Sequence, residues 1–216
     1  MKRLLSFLLA ILIAFSIGFS DASAKSQSNQ KKFDYYLLSL SWSPQYCADT
    51  GISNGDPQCK GRRLGFVVHG LWPQYSSGGY PQSCAKTPPV RENLVNQMID
   101  IMPSEKLIQH EWEKHGTCSG LTVDKYFSSI RSLYNSLNLP PEYIQPTKYS
   151  TKTVQAIEDD LVENNPTLSR DAIAVQCKRQ YLKEVQICYS TDLKPRACGK
   201  GVTDRCRASV VLRPAD

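Results

Sequence analysis

Eight cysteines constrain the fold of this 216-residue chain more than any other feature of its sequence. No Cys-x-x-Cys pair occurs, and the closest spacings are 8, 10 and 11 residues, which suit loop closure better than a tetrahedral metal clip. Up to four disulfides are therefore expected, although on the order of a hundred pairings are open and spacing alone does not choose among them. The eight positions are Cys47, Cys59, Cys84, Cys118, Cys177, Cys188, Cys198 and Cys206.

All eight cysteines follow an N-terminal segment, residues 1–24, with the features of a secretory signal peptide. Lys2 and Arg3 give it a positive start, Leu4–Phe19 is an uncharged run of 16 residues, and Ala22-Ser23-Ala24 forms a small-residue cleavage signal. A membrane anchor is the alternative, but the run is shorter than the ~20 residues that span a bilayer. We expect cleavage after this signal, a secreted or periplasmic protein without membrane attachment, and an oxidising compartment in which disulfides form.

The mature chain, residues 25–216, has the length and composition of one globular domain. With 41% hydrophobic and 21% charged residues, collagen-like and wholly disordered chains are excluded. The formal charge of +6 falls to +5 when the signal peptide is removed. This charge is compatible with binding a polyanion but does not require it.

Hydrophobic patterning places strands at both ends of the mature chain and helices between them. This order predicts a single α+β domain with a central, mainly antiparallel sheet flanked by helices and stabilised by disulfides. Long loops are predicted at 49–61 and 70–89. Strands are predicted at 33–42, 63–69, 171–177, 182–190 and 208–213. Helices are predicted at 88–102, with Pro103 closing it, at 107–115, with Gly116 as its C-terminal cap, and after the N-terminal caps Thr122 and Thr151.

The three histidines fall in two short segments. His69 is predicted to end the second strand, in the sequence Phe66–Pro73, and the other two stand in His110–Cys118. On a helix with 100° per residue, His110, Glu111, Lys114 and His115 share one face, with Trp112 predicted to pack and Glu113 to be solvated.

A zinc protease is one reading of the second segment, because His110-Glu111 begins like the motif His-Glu-x-x-His. The position of the second zinc ligand is occupied by Lys114, and His115 lies one residue too far along the helix to share the metal. We therefore expect no metal and no other cofactor.

Two histidines, a carboxylate and a lysine suit phosphodiester transesterification in RNA. The 2′-hydroxyl is already held beside the phosphorus, so proximity is supplied by the substrate. The reaction needs a base for the 2′-hydroxyl, an acid for the departing 5′-oxygen and donors for the charge on phosphorus. Two imidazoles in opposite protonation states meet the first two needs near neutral pH, and DNA lacks the nucleophile.

Phe66–Pro73 resembles the first active-site motif of the ribonuclease T(2) family of secreted endoribonucleases, and His110–Cys118 resembles the second. Phe33–Cys47 is similar to the first strand of the family, so the resemblance covers most of the mature chain. It implies an α+β catalytic domain that acts as a monomer on single-stranded RNA. It also implies cleavage without a metal through a 2′,3′-cyclic phosphate, with loose base specificity.

By position, the resemblance implies roles that the residues alone do not assign. His69 would be the acid and His115 the base, Glu111 and Lys114 would stabilise the phosphorane, and His110 would bind phosphate. The base-binding residues would be Trp72, Gln74 and Tyr80. Gln74 stands where some relatives carry an acidic residue, and because an amide both donates and accepts hydrogen bonds, their base preference is not carried over.

The resemblance also implies a disulfide pairing: Cys47–Cys59, Cys84–Cys118, and Cys177–Cys206 around Cys188–Cys198. The alternative function is a catalytically inactive secreted protein of the same fold that binds or recognises RNA. Loss of one of the paired histidines would be its mark in the sequence, and neither is lost here.

Overall fold

The structure is a computed structural model that describes residues 32–50 and 55–215, so the predicted signal peptide lies outside it. In this part of the chain strands occur at both ends and helices in the middle, which confirms the predicted α+β class. The strands are β1 Tyr35–Trp42, β2 Phe66–Gln74, β3 Ser150–Lys152, β4 Ile173–Lys178, β5 Tyr181–Tyr189 and β6 Val210–Leu212. The helices are α1 Ser43–Thr50, α2 Glu92–Met98, α3 Glu105–Lys114, α4 Val123–Ser136, α5 Pro141–Ile144 and α6 Val154–Asn164.

One sheet organises the molecule, in the order β2-β1-β5-β6-β3, with β4 also paired to β5. The pairing is antiparallel except between β5 and β6. Leu38 and Leu40 of β1 belong to the large core beneath the helices, to which α4 contributes Phe127 and Ile130, all four fully buried. On the opposite face of β1, Tyr35 and Leu37 form a smaller cluster with Cys188. The functional side chains that the strands contribute, described below, lie on this second face.

Strand β2 differs from its prediction in a way that matters for function. The predicted strand ended at His69 and a loop followed, but β2 continues to Gln74. Ser39 of β1 lies opposite Gly70 and the next residue, Leu40, lies opposite Val68, so His69 is an extra residue without a partner in the register. This is a β-bulge, and sequence alternation alone does not reveal it because the strand resumes normal pairing beyond the extra residue.

Several helix boundaries also differ from the predictions, for local reasons. Strand β1 ends at Trp42 as predicted, and Pro44 lies in the first turn of α1, where a missing N–H is tolerated. Helix α6 is capped by Thr153 rather than by Thr151, which belongs to β3. Helix α2 covers only Glu92–Met98, whereas the prediction was 88–102. The cap of α4 was predicted correctly, since the Thr122 hydroxyl accepts the N–H of Lys125.

Four disulfides join Cys47 to Cys59, Cys84 to Cys118, Cys177 to Cys206 and Cys188 to Cys198, which are the pairs that the family resemblance implies. The second links the segment after β2 to the turn that follows α3. The last two bracket the segment 199–205 near the C-terminus. None of the helices in the described residues is long and apolar enough to be a candidate membrane span.

Candidate active site

The bulge in β2 places His69 on the same face of the sheet as Trp72. In a regular strand, residues three apart point to opposite faces, but the extra residue shifts the alternation by one. The two rings are 5.1 Å apart between centroids and meet edge to face. The His69 side chain is 36% exposed, so it is reachable from solvent.

Helix α3 supplies the second half of the site. The Ser104 hydroxyl caps it by accepting the N–H of Leu107. Its buried stripe follows the helical spacing i, i+3, i+4, i+7, and two of the four positions hold titratable groups instead of apolar ones. These positions are Ile108, Glu111, Trp112 and the capping residue His115, of which Glu111 is 1% and His115 4% exposed.

Other groups on α3 lie where the helical wheel predicts, with one difference at its end. Trp112 packs inward and donates its N–H to the Thr87 hydroxyl, and Glu113 is exposed. Lys114 is half-buried and His110 is exposed. The helix face that these two residues share with Glu111 and His115 therefore extends from the interior to the solvent. Gly116 was predicted as the C-terminal cap, but His115 holds that position. A Cβ on Gly116 would lie 2.2 Å from the Trp112 ring, so this position needs glycine for packing.

Two glycine-dependent contacts bring β2 and α3 together. The Trp72 indole donates to Glu111 Oε2 at 2.7 Å, and His69 Nε2 lies 3.7 Å from Glu111 Oε1. A Cβ on Gly70 would lie 1.9 Å from Glu111 Oε2. Only glycine therefore leaves room for this carboxylate beside the bulge.

The Trp72 ring contacts both histidines of the predicted pair, His69 and His115. His115 stacks on it with a centroid distance of 5.2 Å. The Tyr80 ring lies 5.6 Å from the His115 ring, centroid to centroid. The Nδ1 atom of His115 is buried and has no hydrogen-bond partner among the described residues. His69 and His115 thus flank one indole from two separate elements.

Burial drives the protonation states of these groups apart. It raises the pKa of Glu111 to about 7, although His69, Trp72 and Lys114 act in the opposite sense. Burial, with the charges of Lys114 and His110, lowers the pKa of His115 to about 3. Burial also lowers the pKa of His69, but the carboxylates of Glu184 and Glu111 outweigh it and the net change is upward. The His69 imidazole therefore favours its protonated form, and the His115 imidazole stays neutral.

Two cavities border the site on different sides. The first, about 480 Å³, is lined by Trp72, Gln74 and Tyr80, the three predicted base-binding residues, together with Lys200 and Arg205. Gln74 is buried, whereas Tyr80 is 45% exposed and offers a ring to a ligand. The second, about 270 Å³, is lined by His69 and includes Ser104 and Lys183.

One charged site residue was missed by the sequence analysis. Glu184 on β5 is 4% exposed, and its Oε2 lies 3.6 Å from His69 Nδ1. The signal was a polar row on the strands, because Ser39 and Ser41 alternate with apolar residues in β1 and pair with Gln186 and Glu184. The sequence alone does not give this register, so the row could not be assembled from it.

No group of three or more His, Cys, Asp or Glu side chains in residues 32–50 and 55–215 is arranged to hold a metal ion. The described side chains where β2 meets α3 include the acid–base groups His69, Glu111, Lys114 and His115.

Comparison with known proteins shows similarity to the Ribonuclease T2 family. The sequence model of the Ribonuclease T2 family matches residues 33–198. A ribonuclease from Aeromonas hydrophila is 46% identical over 124 residues, covering 56% of this chain and 53% of that protein. The chain spans about half the length of the first curated relatives it matches. Ribonuclease DdI from Dictyostelium discoideum is 28% identical over 200 residues and 86% of each chain.

Solved structures share the fold. Ribonuclease MC1 from the seeds of bitter gourd has a TM-score of 0.67 and 26% identity, covering 82% of this chain and 99% of that chain. A variant of the same ribonuclease, solved in complex with 5′-UMP, also has a TM-score of 0.67.

Proposed function

The chain belongs to the Ribonuclease T2 family, and on that premise we propose that it is an exported endoribonuclease that cleaves single-stranded RNA through a 2′,3′-cyclic phosphate. The observation that carries the proposal is the pair His69 and His115. They lie against the same Trp72 ring, come from separate elements, and have pKa values shifted in opposite directions.

In the first step, neutral His115 takes the proton of the 2′-hydroxyl as the oxygen forms a bond to phosphorus. His69 gives its proton to the 5′-oxygen as the bond from phosphorus to that oxygen breaks. The products are a 2′,3′-cyclic phosphate and a free 5′-hydroxyl. After this step His115 is protonated and His69 is neutral. Water then opens the cyclic phosphate with the two roles exchanged.

The cavities support this order of acid and base. His115 lies beside Tyr80 of the larger cavity, so a base held there brings its own 2′-hydroxyl towards His115. His69 borders the smaller cavity on the other side, which offers room for the departing nucleoside. The acid therefore lies on the side from which the 5′-oxygen leaves.

The remaining α3 groups stabilise charge in this proposal. With a pKa of about 7, Glu111 is protonated in a large fraction of molecules near neutral pH, so it donates a hydrogen bond to a phosphoryl oxygen. Lys114 places a cation beside the same oxygens, and exposed His110 binds phosphate at the solvent end of the helix.

Base contacts in the proposal come from stacking and one amide. Tyr80 offers an aromatic face, Trp72 lines the same cavity, and Gln74 supplies a donor and an acceptor. Stacking tolerates any base, which is consistent with loose base specificity.

We also propose export by cleavage of residues 1–24, supported by the four disulfides, which persist in oxidising compartments. Mass spectrometry of the exported protein should give an N-terminus at Lys25. A chain that keeps the apolar run would contradict this part of the proposal.

The decisive experiment compares three substrates of one sequence: an oligoribonucleotide, its 2′-O-methyl analogue and the matching DNA. Only the first should be cut, and its initial products should end in a 2′,3′-cyclic phosphate and a 5′-hydroxyl. Cleavage of the DNA or of the 2′-O-methyl analogue would exclude the proposed nucleophile.

The residue roles are tested on the same oligoribonucleotide. His69→Ala and His115→Ala should each lose about 10³-fold or more in turnover with an unchanged circular dichroism spectrum. Lys114→Ala should lower kcat far more than it weakens RNA binding. Glu113→Gln, on the exposed side of α3, is the matched control and should keep the wild-type rate. A near-wild-type rate in either histidine variant would make the acid–base assignment wrong.

A further inference from the structure

The imidazole of His69 lies between two carboxylates, one on each ring nitrogen. Glu111 Oε1 is 3.7 Å from Nε2, and Glu184 Oε2 is 3.6 Å from Nδ1. Only Glu111 is accounted for by the reaction proposed above. The second carboxylate comes from β5, on the far side of His69 from α3.

Glu184 is fixed before any substrate arrives. Its Oε1 accepts hydrogen bonds from the Ser39 hydroxyl and from Gln186 Nε2, the latter at 2.9 Å. Both partners are neutral donors on strands, so His69 is the cationic group that faces this buried carboxylate in the described residues. Burying a charged carboxylate is costly unless it is paired, so the ionised form of Glu184 depends on these contacts.

We infer that Glu184 is the positioning residue of His69: it holds the Nδ1 side of the imidazole and so presents Nε2, with its proton, to the departing 5′-oxygen. The inference rests on the proposed function, because it assigns the orientation of the proposed acid. Of the two carboxylates beside the ring, Glu184 has the lowered pKa and Glu111 the raised one, so Glu184 favours the proton of the neutral ring on Nδ1.

The charges around His69 determine the direction of the effect. It faces Glu111 from α3 and Glu184 and Lys183 from β5, and it interacts with His115. Burial would raise the pKa of Glu184, but the contacts with His69, Ser39 and Gln186 lower it overall, so Glu184 is ionised at neutral pH. Because the acid works only when protonated, losing this anion should lower the pKa of His69. The alkaline limit of activity should then move to lower pH.

The first test uses the wild-type protein, labelled with ¹⁵N, and requires no substitution. Above its pKa, the neutral His69 ring should be the Nδ1–H tautomer, because the Glu184 carboxylate faces that nitrogen. The ¹⁵N shifts of the two ring nitrogens report this directly. An Nε2–H tautomer would overturn the inference, whether or not any variant folds.

The second test is Glu184→Gln, which keeps the side-chain volume and an oxygen for Ser39 while removing the charge. The alkaline limb of the kcat/KM profile and the NMR titration of His69 should both move down by about one pH unit or more. Glu142→Gln is the control: Glu142 pairs with Lys152 outside the site, and its variant should keep the wild-type profile.

A purely structural role would lower activity by a similar factor at every pH and leave the titration of His69 unchanged, and that result would overturn the inference. Failure of the proposed function is distinguishable from this outcome. A wild-type protein that does not cleave RNA removes the function, whereas the tautomer and titration of His69 still decide whether Glu184 controls the ring.

Discussion

The two histidines of the proposed acid–base pair behave differently because their surroundings differ. His69 lies between the carboxylates of Glu111 and Glu184, whereas His115 is buried near cationic groups. Their pKa values move apart for these reasons, upward for His69 and downward for His115. Residue type alone could nominate the histidines, but the division between acid and base follows from neighbours that the fold supplies.

The pH dependence of the wild-type reaction should reflect this division. With a pKa of about 3, His115 stays neutral in acid, so kcat/KM should be retained as the pH falls from about 7 to about 4.5. On the alkaline side the rate should fall as His69 loses its proton. The measurement is kcat/KM for a dinucleotide at each pH, and an acid limb centred near pH 6.5 would contradict the burial of His115.

Thermal unfolding at each pH separates titration of the base from loss of the fold. An unfolded His115 takes up a proton below about pH 6.5, whereas the folded imidazole does so only near its pKa of about 3. The contribution of His115 to the free energy of unfolding is therefore full above pH 6.5 and declines as the pH falls towards 3.

Replacing Gly70 by alanine should disable the site by sterics. The new Cβ would lie 1.9 Å from Glu111 Oε2 and 2.5 Å from Trp72 Nε1, so the carboxylate must move. We expect kcat to fall by about 10²-fold and stability by about 1–3 kcal/mol. The readouts are kcat and the midpoint of thermal unfolding.

Gly65→Ala is the matched control for that substitution. Its Cβ would lie 2.0 Å from the backbone oxygen of Tyr143, as tight a contact but outside the site. It should lose stability while the folded fraction keeps its kcat. If both variants lost kcat equally, the contact of Gly70 with Glu111 would have no special role.

At the scale of elements, β2 and α3 carry the site, and the sequence predicted one better than the other. His110, Glu111, Lys114 and His115 are close together in sequence, so helical spacing was enough to group them. The continuation of β2 to Gln74 and the bulge at His69 depend on pairing with β1, which is remote in sequence. Glu184 was missed for the same reason, since its neighbours lie on other strands.

The disulfide Cys84–Cys118 should matter for activity as well as for stability. It joins the chain after β2 to the end of α3, where Ser83 N–H also donates to the Lys114 carbonyl at 2.8 Å. The double variant Cys84→Ala/Cys118→Ala should lose roughly 4 kcal/mol of stability by the loop-entropy relation. Its kcat should fall at a temperature where it is still folded, as checked by circular dichroism.

The double variant Cys47→Ala/Cys59→Ala is the comparison for this disulfide. Cys47–Cys59 closes a shorter loop, beside α1, and its loss should cost about 3 kcal/mol. The kcat of the folded protein should be unchanged in this case. Equal kcat losses in the two double variants would show that the Cys84–Cys118 link has no specific effect on the site.

At the scale of the whole molecule, one face of the sheet packs in the core and the other contributes to the candidate active site. One face is covered by the helices and forms the large core, and the other holds Ser39, Glu184 and the cavity beside Trp72. The fold class and the mainly antiparallel sheet were predictable because they follow from the order of strands and helices along the chain. The division of the faces was not, because it depends on the register of β1 with β5.

Chelation of metals should leave the wild-type activity unchanged, because side chains perform each proton transfer in the proposed reaction. Initial rates on the oligoribonucleotide should be equal with and without excess EDTA. A metal-dependent nuclease on the same substrate is the positive control for chelation. A rate that fell in EDTA and returned on adding Zn²⁺ would restore the metal hypothesis and remove the proposed mechanism.

The single unpaired residue in β2 also limits how such a protein can be re-engineered. Deleting one residue between Val68 and Leu71 would remove the bulge together with either His69 itself or Gly70, whose missing side chain leaves room for the Glu111 carboxylate. Loop grafts that aim at new base preferences therefore belong beyond Gln74, where added length leaves the strand phase intact. An insertion or deletion of one residue within the regularly paired part of β2 would turn its core-facing side chains towards the surface.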